Sequence, residues 1–62
     1  MTIAALKEAR DDYMRKVRIA RKVMAKAKDA YQIKLAEDDI ASFEAKVEQL
    51  NAEIAKERED GQ

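Results

Sequence analysis

The stretch YQIKLAEDDIASF, residues 31–43, decides the fold of this chain, because the spacing of apolar residues changes phase within it. From Ile3 to Tyr31, apolar residues recur at alternating steps of three and four with one intrusion, Arg10, which is the a/d pattern of a coiled-coil seam. A second seam begins within residues 31–43, and in it Ile33 holds the heptad position that Tyr31 holds in the first seam. A step of two residues turns a helix by about 200°, so one straight helix could not keep both seams on one face. The sequence therefore predicts two helices.

Each seam is a set of residues that share one helix face. The first seam consists of Ile3, Leu6, Arg10, Tyr13, Val17, Ala20, Met24, Ala27 and Tyr31, and is widened by Ala9, Met14, Val23, Ala30 and Leu35. The second seam consists of Ile33, Ala36, Ile40, Phe43, Val47, Leu50 and Ile54. Faces of this width are typical of helices that pack in small bundles.

The predicted fold is all-α: a single helical domain over residues 1–62, built as an antiparallel two-helix hairpin with coiled-coil-like packing. We expect helix 1 at about 3–34, a turn at about 35–39, helix 2 at about 40–58 and a frayed tail at 59–62. Charge supports this division, since the charged residues of 13–34 are mostly basic and those of 35–62 are mostly acidic. The alternative is one long continuous helix in a coiled-coil oligomer, because no Gly, Pro or Asn lies near the turn.

The predicted helix ends carry candidate capping residues. Thr2 is the candidate N-cap of helix 1, and Asp38 or Asp39 that of helix 2, since these side chains accept hydrogen bonds from the free N–H groups at a helix start.

The predicted helices differ in length, which leaves the start of helix 1 without an intramolecular partner. We expect Ile3, Leu6 and Tyr13 to form an exposed apolar stripe on this overhang. Such a stripe is typical of a contact in a homo-oligomer or of a surface that binds another protein. A frayed N-terminus is the alternative, since chain ends are often loose.

Residue composition leaves little for catalysis. The chain has no His, no Cys and a single Gly at position 61, so the commonest general base, a thiol nucleophile and a glycine-rich phosphate loop are all missing. Ser42 has no His to activate it. The carboxylate pairs Glu8 with Asp12 and Glu44 with Glu48 lie on helix faces where solvent or salt bridges explain them. We therefore expect no enzyme activity, no cofactor and no metal site.

A basic ridge on helix 1 is the strongest candidate for recognition. Arg15, Arg18, Lys22 and Lys26 step by three and four residues on the face away from the seam, and Ile19 lies beside them as an apolar anchor. The ridge is a candidate for binding to an acidic protein surface, and the plainer alternative is a solvated face or a face that pairs with the acidic second helix. The alternative is a nucleic-acid-binding helical dimer that uses the same ridge, although the net charge is zero and no aromatic residue interleaves with the cations.

The functional expectation is a protein-binding module that self-associates, such as a small assembly factor, adaptor or inhibitor. Its partner cannot be identified from these residues. The longest apolar run, residues 3–6, is far short of the roughly 20 residues that span a bilayer, so we expect no membrane segment. No basic segment precedes an apolar one in the manner of a secretory signal, and by elimination we expect a cytoplasmic protein.

Overall fold

Two helices packed side by side form the fold. The computed structural model describes residues 2–60 and contains α1 (Ile3–Lys26) and α2 (Ala30–Asp60). The helices pack antiparallel along most of their length, and the hairpin measures 50 × 14 × 13 Å. The predicted two-helix hairpin is thereby confirmed.

The turn lies at residues 27–29, and its predicted position at 35–39 is wrong. Residues 35–39 lie inside α2, so helix 1 ends at Lys26 rather than at 34, and helix 2 begins at Ala30 rather than at 40. Neither Asp38 nor Asp39 is a helix N-cap. Of the tail predicted at 59–62, residues 59 and 60 belong to α2, and residues 61–62 lie outside the described residues.

Asp29 is the physical reason for the position of the turn. Its Oδ1 atom accepts a hydrogen bond of 2.8 Å from the backbone N–H of Gln32, which is the N-cap interaction at a helix start. Just before it, Ala27 leaves the helix with φ −68° and ψ 140°, and its N–H donates to the carbonyl of Met24 at 3.1 Å. No residue between 2 and 60 has a positive φ, so this turn does not need glycine.

The start of α1 agrees with the sequence. Thr2 is extended, and its hydroxyl oxygen accepts a hydrogen bond of 3.2 Å from the backbone N–H of Ala5. The predicted N-cap role of Thr2 is confirmed. A cap of this kind stabilises a helix by about 1 kcal/mol.

The core is a thin layer between the two helices. Its buried side chains are Leu6, Val17, Ala20, Ala36, Ile40 and Ile54. Val17, Ala20 and Ile40 form a cluster, against which Met24 and Phe43 pack. Because two of the six are alanines, the core buries little apolar area for a chain of this length. Tyr31, assigned to the first seam by its spacing, is 73% exposed because it follows the turn and belongs to α2.

Candidate protein-binding surfaces

The start of α1 is covered by α2, so the predicted apolar overhang is wrong. Leu6 is only 2% exposed, and Ile3 is half-buried. The cause is the position of the turn: α2 has 31 residues against 24 in α1, so it reaches back along the whole of α1. Leu6 and Ile3 contribute to the hairpin itself and do not form an exposed stripe.

Tyr13, the third residue of that predicted stripe, also packs within the hairpin. Its ring lies 6.2 Å from the ring of Phe43 at an angle of 41°, and the Lys16 ammonium lies 5.0 Å from the Tyr13 ring centroid. This pair joins α1 near residue 13 to α2 near residue 43. Tyr13 is half-buried, and its role is structural.

The basic ridge, which consists of Arg15, Arg18, Lys22 and Lys26, is exposed along its whole length. Arg15 is paired with Asp12 on its own helix at 3.7 Å. Arg18, Lys22 and Lys26 form no ion pair with the carboxylates that the structure describes. Three of the four cations are therefore free to meet an anionic partner.

Ile19 lies beside the basic ridge and also lines a groove between the two helices. It is 55% exposed, as the predicted anchor role requires. The groove, called the apolar groove below, has a volume of about 510 Å³. Its lining residues are Lys16, Ile19, Ala20, Val23, Gln32, Leu35, Ala36, Asp39 and Phe43.

Val23 and Leu35 are the residues that sequence reasoning missed at this surface. Both were assigned to the margin of the first seam, yet Val23 is 55% and Leu35 is 47% exposed. They lie on different helices, because the turn separates them, and they line the groove together with Ile19. A turn placed at residue 29 would have revealed this pairing, since Leu35 follows Asp29 by six residues and Val23 precedes it by six.

The opposite face of the hairpin carries polar contacts between the two helices. Arg21 forms an ion pair with Glu44 at 3.2 Å, and Arg10 donates a hydrogen bond of 3.3 Å to the side chain of Asn51. A cleft lies between the helices on this face. Among the residues that line it, Met14 is the one large apolar residue that is exposed. The two faces of the hairpin therefore differ: one carries charged contacts across the helices, and the other exposes aliphatic side chains.

The described residues offer no arrangement for metal chemistry. Among the side chains of residues 2–58, no group of three or more His, Cys, Asp or Glu could hold an ion. Over residues 2–60, neither helix contains a segment long and apolar enough to cross a membrane.

Comparisons with protein families, with curated proteins and with solved structures find no match to this chain.

Proposed function

We propose that this chain is a non-enzymatic protein-binding module, such as an assembly factor, adaptor or inhibitor. In this proposal the basic ridge binds an acidic protein surface and Ile19 is the apolar anchor of the contact. The observation that carries the proposal is the row of exposed cations without an ion-pair partner, Arg18, Lys22 and Lys26. The absence of His and Cys from the sequence supports the non-enzymatic part.

The ridge has a regular geometry that suits a helical partner. Arg18, Lys22 and Lys26 are spaced four residues apart, so at a rise of 1.5 Å per residue they span roughly 12 Å on one side of α1. A partner helix with carboxylates four residues apart presents the same spacing. Ile19 lies at the edge of this row, where an apolar side chain of the partner could meet it.

The charge of α1 supports an acidic partner. Between Ile3 and Lys26 there are eight basic and three acidic residues, a net charge of +5. A positive surface attracts an acidic protein and speeds its association, an effect that weakens as salt rises. Each exposed ion pair contributes only about 0.2–1 kcal/mol, so the affinity expected from the ridge alone is weak.

The test uses a synthetic helical peptide with Glu at every fourth position and Leu on the adjacent face, labelled for fluorescence anisotropy. We expect binding at low salt, and we expect the double variant Arg18→Glu with Lys22→Glu to weaken it by about tenfold or more, equivalent to about 1.4 kcal/mol. The control variant, Lys34→Glu with Lys56→Glu, changes the net charge equally on α2 and should leave binding within about twofold.

Two results would overturn the proposal. One is a peptide affinity that falls equally in the control variant, since the contact would then reflect net charge and not the ridge. The other is tighter binding to mixed-sequence RNA or duplex DNA than to the peptide, lost in the Arg18→Glu and Lys22→Glu variant. That result would favour the nucleic-acid alternative, whose salt dependence is steep.

A further inference from the structure

We propose that the apolar groove is covered by a second copy of this chain, which forms a two-fold symmetric four-helix bundle with both turns at the same end. The groove shares Ile19 with the contact proposed above, but Val23 and Leu35 lie outside the basic ridge, so the inference goes beyond that protein-binding function. Ile19, Val23 and Leu35 are each about half exposed and line one groove from two helices. Single exposed apolar residues are ordinary, whereas a contiguous group that spans two elements marks an interaction surface.

The hairpin exposes more area than a typical folded monomer of its mass, by about the area that one partner buries in an interface. The chain exposes 4956 Å² at a mass of 7.1 kDa. Folded monomers of this mass expose about 4,100 Å², so the excess is roughly 900 Å². Each partner in a standard protein interface buries about 800 Å². The elongated shape explains the excess, because two packed helices bury only one side of each.

The charges of the two helices select the arrangement. α1 carries +5, whereas α2 has four basic and nine acidic residues, a net charge of −5. Rotation by 180° about the long axis of the bundle lays α1 of one copy against α2 of the other, so each helix has two neighbours of opposite charge. With the turns at opposite ends, α1 would lie against α1, and like charges would oppose this packing.

The same rotation aligns the side chains of the groove. In the hairpin, Leu35 of α2 lines the groove beside Ile19 and Val23 of α1, and rotation about the long axis keeps each residue at its level. Leu35 of the second copy therefore comes between Ile19 and Val23 of the first, as a knob enters a hole in helical bundles. The symmetry repeats this contact, so each bundle contains it twice.

Charged residues at the rim of the groove complement one another under this rotation. Lys16 on α1 and Asp39 on α2 line the groove at the same level, so Lys16 of each copy meets Asp39 of the other. Further from the turn, Asp12 precedes Lys16 by four residues and Lys46 follows Asp39 by seven, which are steps that stay on one helix face. Asp12, which also forms an ion pair with Lys16 of its own copy at 3.6 Å, therefore lies near Lys46 of the other copy. Such pairs fix orientation more than they add affinity.

Sedimentation equilibrium on the full chain, from about 5 to about 500 µM, tests the dimer. We expect a reversible monomer–dimer equilibrium. Leu35→Glu should raise the dissociation constant about 100-fold, since it sets a carboxylate in the covered groove. Met14→Glu, an exposed apolar position on the opposite face, is the matched control and should change it less than about threefold. Circular dichroism checks that both variants remain helical.

A mixing experiment tests the relative orientation of the copies. Lys16→Glu and Asp39→Lys should each weaken self-association by about tenfold, because each sets like charges against each other. A mixture of the two variants should form a heterodimer within about threefold of the original affinity, since both contacts then pair opposite charges. The double variant made in one chain could also recover through contacts inside the hairpin, so the mixture is the decisive arm.

Several results would overturn this proposal. They are a monomer throughout the concentration range, an oligomer larger than a dimer, an equal loss in Met14→Glu, or no recovery on mixing. Binding of the acidic peptide that Leu35→Glu abolishes in a monomeric chain would assign the groove to a partner helix. Failure of the ridge proposal is distinguishable, because Arg18→Glu with Lys22→Glu should leave the dimer intact.

Discussion

Substitution of Leu6 by alanine tests how α2 covers the start of α1. Leu6 is 2% exposed, so its whole side chain leaves water when the hairpin closes. Burial of a leucine contributes about 1.5–3 kcal/mol, and leucine-to-alanine changes in cores cost about 2–5 kcal/mol. A site between two helices is open at its sides and can relax, so we expect a loss of about 2–3 kcal/mol in the free energy of unfolding. For a domain of this size the midpoint temperature should fall by about 10–20 °C.

The measurement is urea and thermal unfolding followed by circular dichroism at one fixed chain concentration. Met14→Ala is the control, because Met14 lies on the same helix but is 44% exposed, and it should cost about 1 kcal/mol. If Leu6→Ala costs no more than Met14→Ala, the end of α2 does not cover the start of α1, and the register of the hairpin is refuted.

Two further predictions concern the turn. Insertion of Gly-Gly after Lys28 should cost less than about 1 kcal/mol, because loop length is inexpensive, whereas the same insertion after Glu37 should cost more than about 3 kcal/mol, because it rotates the rest of α2 by about 200°. Thermal unfolding of both variants checks this, and the reverse order would return the turn to residues 35–39. Asp29→Ala should cost about 1 kcal/mol by removing the N-cap of α2, while Asp29→Ser should recover most of it. Urea unfolding measures both, and equal stability of Asp29→Ala and the original chain would contradict the cap.

The hairpin itself could be predicted from the sequence because apolar spacing is the strongest local signal of helix packing. The step of two residues between Tyr31 and Ile33 does mark two helices, since Ala36, Ile40 and Ile54 of the second seam are all buried. The change of heptad phase locates the turn only approximately. It shows where the two apolar seams fall out of phase and not where the backbone leaves the helix.

The turn was misplaced because its chemistry is a side-chain cap and not glycine or proline. The sequence does contain the signal: Asp29 followed three residues later by Gln32 has the spacing of a capping box. The change from basic to acidic residues near residue 35 favours a later turn, but this change describes the surface charge of the helices and not where a helix ends. The position of the turn sets which residues of the two helices face each other. A turn at 35–39 therefore predicts that Leu6 is exposed, and it does not predict the groove beside Leu35.

The basic ridge was predictable for the opposite reason. The spacing of Arg18, Lys22 and Lys26 sets them on one face of any helix that contains all three, wherever that helix ends. What spacing could not supply is their freedom from ion pairs, which depends on where α2 lies. In the hairpin, Glu44 forms its ion pair with Arg21, and Arg18, Lys22 and Lys26 form none with the described carboxylates.

Folding is thermodynamically coupled to association in a hairpin with so small a core. Any partner that binds only the closed form stabilises it by mass action, by about 2.7 kcal/mol at a concentration 100 times the dissociation constant. Under the proposed dimer, Ile19, Val23 and Leu35 would extend the layer that Val17 and Ile40 begin, so the second copy would complete the core of the first. The four cations of the basic ridge are exposed and none of them lines the groove, so the bundle would present two ridges, one on each copy. A partner with two acidic sites would then gain affinity through bivalent contact, which offsets the weakness of each ridge alone.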